Sequence, residues 1–172
     1  MSAGESASTQ RHFVGKRKDL VRAKRAVRTV DGREIIIIYH LDTFYALDLH
    51  CYHAGSTLEH GDIEEIDKKL CIICPNHKYK ITLAEGEGLY RAANPYVKPR
   101  VYKWYSKGLK QRVHEVTEEG GDVFVTLSNL SHFLESDYYY TPQGRKDREK
   151  LEKGMGTDTM RDKDEDEAQN EG

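Results

Sequence analysis

The 172 residues predict an all-β chain, on three observations. The β-branched and aromatic runs are short, turn residues separate them at close intervals, and no long stretch keeps a convincing helical period. Residues 27–30 and 33–39 are β-branched runs joined by Asp31-Gly32, a dipeptide that favours a two-residue hairpin turn. A second turn at Leu41-Asp42 leads into Phe44-Tyr45-Ala46-Leu47. Glu64 to Lys69 predicts a surface hairpin, and Gly86-Glu87-Gly88 a turn rather than a phosphate loop, because no nucleotide fingerprint surrounds it. Residues 94–107, with Pro95, Pro99 and the single Trp104, read as a long connection. From Leu109 to Val116 side chains alternate as in a strand, and Glu118-Glu119-Gly120-Gly121 turns the chain into the strand 122–127.

Composition divides the chain. Charged residues are 33% and hydrophobic ones 37%, and residues 141–172 carry seven Lys or Arg against ten Asp or Glu with four apolar side chains. Such a segment cannot bury enough surface to offset its ordering entropy, so 141–172 is expected to be a disordered tail, with Tyr138-Tyr139-Tyr140 marking the end of the ordered chain. The expected organisation is a flexible start (1–11), one domain (12–130), a short extension (131–140) and the tail. No apolar run reaches the roughly 18 residues of a membrane span, so membrane insertion is not expected. Nor is nucleic-acid binding, since residues 1–140 hold 20 basic and 19 acidic side chains. The first ten residues lack the apolar segment of a secretory signal, although the Arg-rich, Ser-bearing start also fits a mitochondrial transit peptide. Three cysteines make no disulfide framework, which suits a reducing, cytoplasmic setting.

The chemistry concentrates in two ligand pairs. Cys51-Tyr52-His53 is followed by Ala54-Gly55-Ser56-Thr57-Leu58, and after twenty intervening residues comes Cys74-Pro75-Asn76-His77. Two Cys and two His suit a zinc ion, or an iron–sulfur cluster in which two thiolates hold one iron and two imidazoles the other. Cys71, two apolar residues before Cys74, reads as a buried strand residue. The histidines at 12, 40, 50, 60, 114 and 132 lack partners at ligand spacing, with His50 and His60 nearest the pairs in sequence.

With their flanks, "DGREIIIIYHLDTFYALDLHCYH" and "ITLAEGEGL", these pairs resemble the Rieske [2Fe–2S] family, whose signature is CxH near a glycine and leucine followed by CPxH. The resemblance spans residues 12–129, and the first strand of the family is matched at Phe13-Val14-Gly15. It implies three stacked antiparallel sheets with both ligand loops at one tip, and one [2Fe–2S] cluster per chain. Cys51 and Cys74 would hold the inner iron, His53 and His77 the outer, solvent-facing one. In the high-potential branch a Ser and a Tyr follow the second His by two and four residues, and a disulfide joins the loops. Here those places hold Tyr79 and Ile81, and Ser56 and Asn76, so the chain resembles the low-potential ferredoxin type. Residues after Asn129 are too few to build an oxygenase's mononuclear iron domain. The resemblance therefore implies a monomeric one-electron carrier, not an enzyme, between a flavin-containing reductase and an oxygenase or other acceptor. A redox-sensing module is the alternative. Lys78, Lys80 and Arg91 lie beside the expected electron exit in sequence.

Overall fold

The computed structural model describes residues 10–128 and 132–153. Eleven antiparallel strands follow one another: β1 (Arg11–Lys16), β2 (Arg25–Val30), β3 (Arg33–His40), β4 (Thr43–Asp48), β5 (Asp62–Ile66), β6 (Lys69–Ile73), β7 (Lys80–Thr82), β8 (Glu87–Ala93), β9 (Tyr102–Leu109), β10 (Val113–Glu119) and β11 (Asp122–Thr126). Helix α1 (Arg17–Ala23) sits between β1 and β2, and a 3₁₀ helix (Glu135–Tyr140) leads into α2 (Pro142–Lys153). One sheet runs β5-β6-β7-β8-β9 and the other β1-β11-β10-β4-β3-β2. The larger sheet changes partners along β10. Val113 and His114 pair with β4, whereas Glu115 to Glu119 pair with β11. The expected three antiparallel sheets are thus present, two of them sharing β10.

Four hairpins close through two residues that both have positive φ: Asp31-Gly32, Leu41-Asp42, Asp67-Lys68 and Gly120-Gly121. That backbone twist matches the right-handed twist of the strands it joins. The apolar run of β3 is buried on both faces. Ile36 and Ile38 join Leu47, Leu58, Ile72 and Ile81 in the core between the sheets, while Ile35 and Ile37 join Val14, Ala46, Val123 and Val125 in a second core. Alternation on β6 likewise sends Ile72 into the first core and Cys71 to a third cluster with Ile66 and Leu89. Cys71 is therefore the core residue its apolar surroundings indicated, and burial raises its thiol to about 11.

Three expectations change. Residues 94–107 are not one connection, because β9 begins at Tyr102 and pairs with β8. The alternation at 109–116 is interrupted, since Lys110 and Gln111 both donate backbone N–H to Gly86 O, turning the chain between β9 and β10. Residues 142–153 are helical, not part of a disordered tail; 154–172 lie outside the described residues. Thr141 Oγ1 accepts the Gly144 N–H at 3.0 Å and Pro142 follows it, an N-cap and first-turn proline that the charge count concealed.

A buried polar network joins these parts. Asp48, the last residue of β4, is 0% exposed. It accepts from Arg33 (2.8 and 2.6 Å), His114 Nε2 (2.9 Å) and Ser136 Oγ (2.7 Å). Asp137 takes Arg112 on both oxygens (2.8 and 2.7 Å) and Arg33 at 2.5 Å. Burial pushes the Asp48 carboxyl up, but hydrogen bonds from His114 and Arg33 outweigh it and hold it below the ordinary 3.8. A carboxyl depressed by folding stabilises above its unfolded value and loses that contribution as pH falls through its folded value. Chemical denaturation should therefore show stability dropping below about pH 4, with Asp48→Asn costing about 3–5 kcal/mol at neutral pH by leaving Arg33 and Arg112 to share the single carboxylate of Asp137; the variant should keep only the part of that acid dependence that Asp137, also held below its ordinary value, supplies.

Candidate metal centre

The first ligand loop follows β4. His50 and Thr57 form an isolated bridge, Cys51 N–H donates to Ser56 O at 2.8 Å, and Gly55 N–H donates back to Cys51 O at 2.8 Å. The second loop joins β6 to β7. Cys74 N–H donates to Tyr79 O at 2.9 Å and Lys78 N–H to Cys74 O at 3.0 Å, with His77 and Lys78 both at positive φ. Each loop is a tight, internally bonded turn. A side-chain bond joins them, from Asn76 Nδ2 to Ser56 Oγ at 2.9 Å. These are the two positions where the high-potential branch has its disulfide.

All four residues singled out in the sequence come together. Cys51 and Cys74 are buried and not in a disulfide. Cys74 hydrogen-bonds Cys51, and with backbone N–H groups of His53 and Ala54 and the Lys107 charge it holds the Cys51 thiol below its ordinary value despite burial. Those groups stabilise the thiolate, the form that binds metal. His53 and His77 approach Nδ1 to Nδ1 at 3.0 Å, their rings nearly perpendicular. Two neutral imidazoles placed this way can satisfy only one Nδ1 lone pair with a proton, whereas a cation beside both satisfies the pair. Among the described residues no three His, Cys, Asp or Glu side chains gather as for a single ion; the donors instead form a thiol pair and an imidazole pair.

The expectation that both imidazoles reach solvent is not met. His77 is 8% exposed and His53 half-buried, because Tyr79 lies parallel to the His53 ring at 3.9 Å. Arg91 does not face the loops; it points with Trp104 and Tyr102 to the other side of the sheet, its guanidinium 4.8 Å over the Tyr102 ring. Lys107, which the sequence reading passed over, lies 4.6 Å over Tyr79.

Two supports come from far along the chain. Gln111, fully buried, accepts the Tyr52 N–H at 2.9 Å and donates to Asp48 O (3.0 Å) and His50 O (2.8 Å), clamping the base of the first loop. Gly86, at φ +77, lies so close to the Gln111 carbonyl that a Cβ there would fall 1.9 Å from it. The tyrosine triplet belongs to the ordered chain and does not mark its end. Tyr139 OH donates to His53 O at 3.0 Å and its ring fills the place a Gly55 Cβ would take, 2.6 Å away. Tyr140 OH donates to Glu34 O and accepts the Leu49 N–H. From α2, Arg148 donates to His50 Nε2 and to Glu34, while His50 Nδ1–H donates to Gly55 O at 2.8 Å. His60 lies with Gly55, Pro75, Asn76 and Leu151 around a cavity of about 280 Å³ between the loops and α2.

Residues 12–130 match the family of the soluble Rieske-type ferredoxins. The human "Rieske domain-containing protein" is 48% identical over 128 residues, covering 74% of this chain and 82% of that one. The chain belongs to the soluble Rieske-type ferredoxin family. Among solved structures, the ferredoxin of carbazole 1,9a-dioxygenase from Nocardioides aromaticivorans IC177 matches with TM-score 0.52 at 22% identity, covering 70% of this chain and 100% of its own. An oxygenase and ferredoxin complex of carbazole 1,9a-dioxygenase matches with TM-score 0.50 at 18% identity, over 70% of this chain and 29% of that one. These two likenesses concern the fold. The family match stops at residue 130, and Tyr139, Tyr140 and α2 lie beyond the matched span. No described helix is long and apolar enough to cross a membrane.

Nested truncations separate these supports. Ending the chain after Tyr140 should lower thermal stability modestly and loosen the first loop through loss of Arg148, as amide exchange at Gly55 and Ser56 would report. Ending it after His132 removes Ser136, Asp137, Tyr139 and Tyr140 from buried partners and should cost several kcal/mol, about 1–3 for each buried group left unsatisfied.

Proposed function

We propose that this chain is a one-electron carrier that holds one [2Fe–2S] cluster per molecule in its 12–130 domain, Cys51 and Cys74 on the inner iron and His53 and His77 on the outer. The carrying observation is the arrangement of the donors, two neighbouring buried thiols beside two imidazoles that meet through Nδ1. Bound there, the cluster would supply a single reversible electron. Two thiolates and two neutral imidazoles bring an oxidised site to about zero charge, so an added electron is accepted more readily than with four thiolates, within about −150 to +300 mV.

This chain's own residues set the rest. Ile81 is fully buried apolar surface and Tyr79 is committed to stacking on His53, so the hydroxyl donors of the high-potential branch are not at those two places. A donor to sulfur favours the more negative reduced state, and without these the potential belongs near the lower end. The Ser56–Asn76 hydrogen bond holds the loops without a covalent link that a reductant could open. Electrons would pass at the His53 edge, the half-buried imidazole, from a flavin-containing reductase to an oxygenase or other acceptor in the cytoplasm, with the protein acting as a monomer and carrying no substrate chemistry of its own. The family membership and the ferredoxin frame support that reading.

Visible absorption and electron paramagnetic resonance of the dithionite-reduced protein should show a [2Fe–2S] centre with mixed nitrogen and sulfur ligation, and iron analysis two atoms per chain. A colourless protein holding one zinc would refute this, as would a full cluster in Cys51→Ser or His77→Ala. Protein-film voltammetry should place the neutral-pH potential at roughly −150 to 0 mV, falling with pH by about 59 mV per unit where one proton accompanies the electron; reduction makes the site more negative, so protonated imidazole is favoured in that state. A value near the high end would remove the argument from Tyr79 and Ile81.

A further inference from the structure

Between Gly88 and His114 the chain holds seven Lys or Arg and no Asp or Glu, while the remaining residues hold 20 basic and 29 acidic. That segment is most of β8, the connection 94–101, β9 and the turn into β10. β9 is the outer strand of its sheet and is exposed along its length except at Trp104. Strand alternation places Trp104 against the Ile66, Cys71 and Leu89 cluster and turns Lys103, Tyr105 and Lys107 to the opposite face.

That face is continuous with the candidate centre. Tyr79 stacks on His53, Lys107 Nζ lies 4.6 Å over Tyr79 and 5.8 Å over Tyr90, and Tyr90 stacks on Tyr105 at 5.6 Å. Tyr105 is 44% exposed. Surrounding chain and the like-charged Lys110 and Lys80 hold the Lys107 ammonium below its ordinary range, and Lys110 also pairs with Glu135. Gathering like charges beside one another disfavours the folded chain, and the arrangement gains when an opposite charge is brought to it. The exposed Tyr105, with the half-buried Tyr90 and Tyr79 beside it, adds the flat amphipathic contacts found at the centres of protein interfaces. Lysines on an outer strand discourage pairing by strand addition, which leaves side-chain contact as the mode.

We propose that the face formed by Tyr79, Lys107, Tyr90, Tyr105 and Lys103 is the docking surface for an acidic face of the protein that exchanges electrons at His53. The assignment rests on the electron-carrier reading. A partner seated there covers Tyr79 and comes within one aromatic ring of His53, so binding and electron exchange share one surface.

The test uses the reduced holoprotein with cytochrome b5, an acidic one-electron haem protein, and with cytochrome c, a basic one. For the wild type, stopped-flow transfer to cytochrome b5 should slow as salt rises. Lys103→Glu with Lys107→Glu should slow it about tenfold or more at low salt and speed transfer to cytochrome c. Lys18→Glu with Lys24→Glu, the same charge change around α1, should leave the cytochrome b5 rate within about twofold. Because Lys107 also lies beside Cys51, Lys103→Glu alone should slow the transfer in the same direction by a smaller factor; circular dichroism melts, the visible spectrum and the potential of each variant check that fold, cluster and driving force persist, and amide shifts on adding cytochrome b5 should concentrate in residues 102–110. An unchanged cytochrome b5 rate in the β9 variant, or equal slowing in both charge variants, would overturn the proposal. So would a single-stranded oligonucleotide that binds the wild type but not the β9 variant more tightly than cytochrome b5 does. Removal of residues 154–172 that speeds transfer as much as the β9 variant slows it would instead make the chain's own acidic end the occupant. If the protein proves to hold no cluster, the electron-carrier reading fails; calorimetric binding of cytochrome b5 to the wild type and the β9 variant still decides the docking surface.

Discussion

The buried carboxylate of Asp48 is the interaction on which the rest depends. A charge removed from water is tolerated only when its oxygens are fully bonded, and Asp48 meets that condition with donors from β3, β10 and the 3₁₀ helix. The neighbouring strand β3 and two elements distant in sequence are thereby held to the residue that ends β4, three positions before Cys51. The first ligand loop starts from a fixed point. Gln111 then fixes the next peptides, taking the Tyr52 N–H and giving to the carbonyls of Asp48 and His50.

The apolar cores set where that point lies. Because Ile35 to Ile38 are buried on both faces, β3 cannot slip by one residue without exchanging the contents of two cores, and its register with β4 is strongly specified. The same inter-sheet core contains Cys51 and Cys74 beside Leu49 and Leu58. The thiols sit at the edge of packed hydrocarbon, and the imidazoles lie further out. Low surrounding polarity on the thiol side is offset by the backbone N–H groups and the Lys107 charge near Cys51.

The C-terminal segment changes what a ferredoxin frame presents to its surroundings. Tyr139 covers one side of the first loop and α2 approaches both loops through Arg148 and Leu151. On the other side, Tyr79 and Lys107 cover His53. The loops are thus flanked by a structural buttress and by a cationic aromatic face, and the two flanks differ in exposure as well as charge.

Local chemistry was legible in the sequence wherever neighbours in the chain decide the outcome. Asp31-Gly32 and Gly120-Gly121 set hairpin turns because their backbones accept positive φ, the isoleucine run set a buried strand, and the spacing of Cys51, His53, Cys74 and His77 set two ligand pairs. Thr141-Pro142 also carried a helix-start signal, which the high charge of the following residues masked. What only the tertiary structure decided were contacts between residues far apart: Asp48 with Ser136, Gln111 beneath the first loop, Tyr139 against Gly55, and Tyr79 between His53 and Lys107. None of these has a local signature, since a buried Gln, Asp or Tyr is stable only through partners that folding brings from elsewhere, and a charged side chain reads as solvent-facing until the chain is closed around it. The sequence by itself determined which side chains carry donor atoms at close spacing; the fold decided which of them meet, which face solvent and what covers them.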